Sequence, residues 1–156
     1  MKIYVAGDHA GFTLKEALKA RLLVQGYEVE DCGAFSEIGG DDYPDLVTPC
    51  ALKVANDKDS FGIIVGASGQ GEAMAANRVS GVRAVVYYGE ATRSQIDSEG
   101  NSLDMLESSR SHNNANILSL GARFLDEEQA KQAVSRFLSA PFSGDERHIR
   151  RIERLA

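Results

Sequence analysis

Residues 61–65 read Phe-Gly-Ile-Ile-Val, a run with no polar face, and Gly66-Ala67-Ser68-Gly69-Gln70-Gly71-Glu72 follows at once. A strand apolar on both sides must be covered on both sides, which is the situation of a parallel sheet between helices. The rest of the chain supplies those helices, in alternation with further β-rich runs. Lys2-Ile3-Tyr4-Val5-Ala6 reads as a strand closed by Gly7. Leu14, Ala17, Leu18, Arg21 and Leu22 then recur at helical spacing, with Lys15 and Lys19 on the opposite face, until Gly26 stops the helix. A second strand begins at Tyr27-Glu28-Val29-Glu30, residues 33–44 form a Gly- and Asp-rich loop, and a helix is expected over 45–55. Beyond the apolar run, residues 72–77 have helix composition, and residues 82–87 and 116–120 are the fourth and fifth strands. Asp126 with Gln129 three positions on opens a helix whose Ala130, Ala133, Val134, Phe137 and Leu138 form one stripe. The polar stretch 89–112, with a lone Gly100, predicts a helix, a break and a second helical turn.

Strict alternation of strand and helix, with right-handed crossovers, gives an α/β fold: a single three-layer α/β/α Rossmann-like sandwich with a five-stranded parallel sheet. It is expected to occupy residues 1–140, with 141–156 as a C-terminal basic helical arm of the same domain; a total of 156 residues suits one domain. No apolar run reaches the roughly 18 residues of a membrane span, and the N-terminus, interrupted by Gly7 and Asp8, does not read as a signal peptide. Cys32 and Cys50 offer neither a disulfide framework nor a metal-ligand spacing, so a cytoplasmic protein without a metal is expected. Seventeen basic against 23 acidic residues argue against nucleic acid as a partner.

Ligands of open α/β sheets bind beyond the carboxyl ends of the strands, and the unusual clusters are all expected there. They are Gly7-Asp8-His9-Ala10-Gly11, residues 66–72, His112-Asn113-Asn114 just ahead of the fifth strand, and Gly121-Ala122-Arg123 after it. Small residues at 68–72 let successive amides converge on an anion such as a phosphate or an enolate, although a tight turn with φ > 0 would need the same glycines. Neither a P-loop nor a dinucleotide fingerprint is present. Glu72 opens the following helix. That placement suits a simple charge–dipole contact, and equally a base beside an oxyanion nest, provided that partial burial offsets the helix end. Arg147, Arg151 and Arg154 share one face of the terminal helix, either solvated or holding a phosphate. Ile149, Ile152 and Leu155 beside them must dock on this domain or on a second copy.

Together these motifs, with Asp42-Tyr43-Pro44 and Ala75-Ala76-Asn77, resemble the ribose-5-phosphate isomerase B / galactose-6-phosphate isomerase family along almost the whole chain. The resemblance implies a cofactor-free aldose–ketose isomerase of sugar-phosphate metabolism (the pentose phosphate pathway). It also implies a homodimer or tetramer whose sites combine residues of two subunits. Carried over, Glu72 shuttles the proton, Ser68 serves the carbonyl and hydroxyl oxygens, and His112, helped by Asp8, opens the sugar ring. Amides of Gly69, Gln70 and Gly71, next to Ala67, hold the cis-enediolate. His9, Arg123, Arg147 and Arg151 bind phosphate, while Tyr43 and Asn113 line the sugar site. One branch of the family uses a cysteine base at the position of Gly66; this chain resembles the glutamate branch. It departs from the pattern in a longer segment over 90–111. The alternatives are an isomerase of a 6-phospho-hexose such as galactose or allose 6-phosphate, and a non-catalytic sugar-phosphate-binding α/β module.

Overall fold

The computed structural model describes residues 1–97 and 99–155. Five strands, β1 (Lys2–Gly7), β2 (Glu28–Asp31), β3 (Ser60–Gly66), β4 (Ala84–Tyr87) and β7 (Ile117–Gly121), form one sheet in the order β2-β1-β3-β7-β4. All four pairings are parallel, as the apolar run at β3 requires. Helices α1 (Phe12–Val24), α4 (Met105–Asn113) and α5 (Glu127–Ser139) cover one face, around Ile3, Val5, Ile63, Val65, Leu118, Leu120 and Phe137. Helices α2 (Tyr43–Asn56) and α3 (Gln70–Ala76) cover the other, around Tyr4, Ala6, Val47, Cys50, Ile64 and Ile117. A short helix α6 (Glu146–Ile152) ends the chain. No described helix is long and apolar enough to cross a membrane.

The order 2-1-3-7-4 reverses direction between β1 and β3, so the loops after those two strands diverge and leave a crevice. The expected capping box is present at α5: Asp126 Oδ1 accepts from the Gln129 amide at 2.8 Å and Gln129 Oε1 from the Asp126 amide at 3.1 Å.

Two expectations need correction. Lys15 is not on an exposed helix face but wholly buried (0% exposed), its Nζ 2.6 Å and 2.8 Å from the Asp31 oxygens and 2.8 Å from Glu16. A cation can be buried there because β2 delivers Asp31 directly against it. Against the effect of its own burial, Lys15 and Lys19 hold the Asp31 carboxyl below its ordinary range. Second, the stretch after β4 is not helical at first. It forms a two-residue hairpin, β5 (Gln95–Ile96) with β6 (Ser102–Leu103), before α4. Asp97 turns the hairpin, its Oδ1 accepting from the Glu99 and Asn101 amides at 2.8 Å each. Arg136 of α5 pairs with both Glu90 and Asp104, fastening the two ends of the excursion. Asp104 and Glu107 then make a second capping box, which starts α4.

Candidate active site

At the carboxyl end of the sheet, β1 and β3 exit side by side. Asp8 Oδ1 accepts from the Gly11 amide at 2.9 Å and fixes the turn over His9–Gly11. The β3 exit is tied to the β7 exit: the Ala122 amide donates to Gly66 O (2.8 Å) and the Arg123 amide to Ala67 O (3.1 Å). Ser119 Oγ donates to Gly69 O at 2.6 Å, while Gly69 adopts the left-handed conformation (φ 73°) that lets α3 begin. The first amides of a helix have no acceptor within it, so the N–H groups of residues 69–71 lie at a positive end. Ser68 Oγ accepts one of them, from Gln70, at 3.3 Å.

Glu72 is 4% exposed and folds back over Gly66. A Cβ built on Gly66 would lie 1.9 Å from Glu72 Oε1 and 2.1 Å from its Cδ. A side chain at 66 and the Glu72 carboxylate therefore claim the same space, so a glutamate base at 72 and a cysteine base at 66 exclude one another. Burial pushes the Glu72 carboxyl above its usual range; its own amide opposes this and the Asp8 charge adds to it. The offset that a useful base at a helix start requires is thus supplied. Tyr43, first residue of α2, closes the cradle: a Cβ on Gly71 would meet its ring at 2.7 Å.

His9 lies beside this cradle, its Nδ1 paired with Asp41 Oδ1 and its amide donating to Asp41 Oδ2 at 2.9 Å. The Asp41 hydrogen bond holds the His9 ring above its usual pKa, and the charge of exposed Arg123 acts in the opposite direction. His9 and Arg123 thus stand at one rim, the imidazole biased toward its protonated form.

The remaining candidates are elsewhere. His112 and Asn113 are the last residues of α4, and Asn114 O accepts from Arg83 Nε at 2.9 Å, just ahead of β4. They therefore lie toward the amino end of the strands, which corrects the expectation that every cluster sits at the carboxyl end. At about 3.3 Å per residue, the length of β7 from Ile117 to Gly121 separates the two groups by roughly 13 Å. A single chain does not bring His112 to Asp8 or Glu72. Instead His112, Arg147, Arg151 and His148 line a polar pocket of about 320 Å³ with Gln95, Ile96 and Asp97 of the hairpin. The His112 and His148 rings are 4.4 Å apart, and Gln95 Nε2 approaches His112 Nδ1 at 3.4 Å. Buried His148 shares a hydrogen bond with Ser143 Oγ at 2.9 Å; burial, then the charges of His112 and Arg147, keep its ring below the usual pKa. It is His148, not the Ile149 stripe, that faces the body of the chain: Ile149 is 42% and Leu155 70% exposed.

Asp41, His148 and Gln95 thus join the two clusters without having been singled out from sequence. Asp41 adjoins the Asp42-Tyr43-Pro44 motif, which is a usable signal; Gln95 carries none. Among the described residues, no group of three or more His, Cys, Asp or Glu side chains could hold a metal ion.

A buried carboxylate beside the first amides of a helix, on the carboxyl end of a parallel sheet and rimmed by His9 and Arg123, is an arrangement of the class that suits proton transfer on a small anionic substrate. The chain belongs to the Ribose/Galactose Isomerase family, whose model matches residues 3–155. It is 38% identical over 156 residues to ribose-5-phosphate isomerase B of Mycolicibacterium paratuberculosis, covering 100% of this chain and 90% of the relative. To ribose-5-phosphate isomerase B of Escherichia coli it is 37% identical over 152 residues, 97% of this chain and 92% of the other. Among solved structures it resembles ribose-5-phosphate isomerase B of Mycoplasma genitalium with bound ribulose 5-phosphate (TM-score 0.85, 34% identity, 99% and 93% covered). It also resembles a ribose 5-phosphate isomerase of Thermotoga maritima (TM-score 0.84, 41% identity, 99% and 96% covered).

Proposed function

We propose that this protein interconverts ribose 5-phosphate and ribulose 5-phosphate through a cis-enediolate. The observation that carries the reading is the Glu72 carboxylate, buried over Gly66 with a raised pKa at the helix start formed by residues 69–71. In this route Glu72 takes the C2 proton of the open-chain aldose. The N–H groups of Gly69, Gln70 and Gly71 hold the oxyanion, Ser68 exchanges hydrogen bonds with the carbonyl and hydroxyl oxygens, and Glu72 returns the proton to C1. Tyr43 and Ala67 bound the sugar; His9 and Arg123 receive the phosphate. No step calls on a metal, so turnover should survive exhaustive EDTA treatment.

Ring opening falls to His112, and phosphate binding is shared with Arg147 and Arg151, all supplied by a second copy with Asn113 beside the sugar. Three features support this. The length of β7, roughly 13 Å, lies between the two clusters in one chain. Ile149 in α6 and Leu155 just beyond it are left exposed, and Arg151 lines an open pocket with His112. A homodimer that docks α6 and the end of α4 on its partner's Asp8–Glu72 crevice completes both sites at once.

The activity is tested by following ribulose 5-phosphate formation from ribose 5-phosphate, with a 6-phospho-hexose in parallel. Saturable pentose turnover is expected; turnover of the hexose alone would reassign the substrate, and binding without turnover of either would make this a binding module. The shared site is tested by mixing Glu72→Gln with the Arg147→Ala/Arg151→Ala double variant under subunit exchange. One site of each heterodimer then combines intact groups, and activity returns. Demonstrated exchange without recovery would show that each chain builds its site alone.

A further inference from the structure

Both cysteines, far apart in sequence, meet on the face opposite α5. Cys32 follows β2, its amide donating to Val5 O at 2.8 Å, and is partly exposed. Cys50 lies within α2, 0% exposed, packed among Val47, Ala51 and Val54 with Cys32 against the same cluster. The two thiols are close enough to act on one another's ionisation. Lys53, one helical turn beyond Cys50, places its Nζ 3.8 Å from Cys32 Sγ while pairing with Glu30. None of these groups takes part in the isomerisation.

The two sulfurs are chemically unequal. The neighbouring Cys32 and complete burial keep the proton on Cys50. The Cys50 thiol, then the Lys53 charge, hold Cys32 at about 7 against its partial burial. A partly exposed thiolate therefore stands with a protonated thiol directly behind it, which is the layout of an attacking and a resolving cysteine.

We propose that Cys32 and Cys50 form a hydroperoxide-reactive dithiol, with Cys32 as the attacking sulfur at the rim and Cys50 as the resolving sulfur in the core. In the first step Cys32 thiolate attacks the distal peroxide oxygen. The O–O bond breaks, Cys32 becomes a sulfenic acid, and the departing hydroxide or alkoxide takes a proton from solvent. In the second step Cys50 sulfur attacks Cys32 sulfur. The S–O bond breaks, the Cys50 proton leaves with the hydroxide as water, and an S–S bond remains. Overall two thiols are oxidised by two electrons and one peroxide O–O bond is reduced; a small dithiol reverses the change. The bridge would tie the end of β2 to α2 across the loop that carries Asp41.

The test is intact-mass and peptide analysis of the full chain after hydrogen peroxide treatment. The expected result is loss of both free thiols, a Cys32–Cys50 cross-linked peptide, and full recovery with dithiothreitol. Cys50→Ala should instead accumulate a dimedone-trappable sulfenic acid at Cys32, and Cys32→Ser should leave Cys50 unmodified. Lys53→Met should slow the Cys32 reaction by about threefold, the gain in thiolate being partly offset by lower nucleophilicity. If Cys50→Ala fails to fold, the cross-link in the natural chain and the Cys32→Ser and Lys53→Met results still decide the matter. A sulfenic or higher acid at Cys32 without a cross-link in the natural chain overturns the pairing. Two thiols unreactive toward excess peroxide overturn the site altogether.

Discussion

The crevice around Glu72 and the pocket around His112 are built from opposite materials. The first is made of backbone: glycine-rich exits of β1, β3 and β7, held by main-chain bonds such as Ala122 N–Gly66 O, around two buried acids, Asp8 and Glu72. The second is made of long side chains on α4, α6 and a hairpin, with His112, His148, Arg147 and Arg151 around open space. One holds amide donors and a carboxylate at fixed positions; the other holds guanidinium and imidazole groups on long side chains. In the proposed reaction, chemistry at carbon needs the former's precision, since a misplacement of about 1 Å can cost on the order of a hundredfold in rate. The proposed recognition of a phosphate and a ring oxygen tolerates the latter.

The contrast breaks most severely at the base. Glu72→Gln keeps the shape but cannot accept a proton, so kcat should fall by roughly 10²–10⁴ while KM stays near the natural value. Retention of more than about a tenth of kcat would remove Glu72 from that role. Next comes the backbone itself. Gly66→Ala sets a methyl on the Glu72 carboxylate and should lower kcat by roughly a hundredfold through displacement alone. An equal fall in KM-dependent binding with unchanged kcat would show that the carboxylate does not reside there during turnover.

On the side-chain-built half, losses should appear in KM. Arg151→Ala removes a charge-assisted bond of roughly 1.5–3 kcal/mol and should raise KM about ten- to a hundredfold at near-constant kcat. A fall confined to kcat would place Arg151 with the chemistry instead.

The smallest effects are in pH dependence. The Glu72 carboxyl is raised, so kcat/KM should decline on acidification at a higher pH than an ordinary glutamate would give. The same shift makes its ionisation unfavourable to folding: its contribution is fullest below the unfolded value and declines as pH rises through the folded one. His9 is also raised, by Asp41, so its stabilising contribution is present below its unfolded value and lost as pH rises through the folded one. Asp41→Asn should therefore bring the alkaline rise in KM to lower pH. An unchanged KM–pH profile would separate His9 from the phosphate.

Much of this was legible from residue order. The unbroken apolar run of β3 dictated a doubly covered parallel sheet, and Asp126 with Gln129 marked the start of α5 because capping is a local interaction. The hairpin was not legible, since its two-residue strands have no period and are held by side chains, Asp97 in its turn, Ser108 against Gln95, and Arg136 from a distant helix. Buried Lys15 could not be recognised without knowing that β2 brings Asp31 to it. The position of His112 was legible and misread: a residue four places ahead of Asn116 and its strand belongs to that strand's amino end.

The space filled above Gly66 and Gly71 has a consequence for how such a protein can diverge. Where the space beside a glycine is already taken by a carboxylate or a tyrosine ring, there is no larger residue to try, and a saturation library at these positions should return glycine almost alone. Variation that alters which sugar is accepted must then accumulate across the molecule, in the hairpin and the two terminal helices. In a shared site, those changes are made in one subunit and read out in the other.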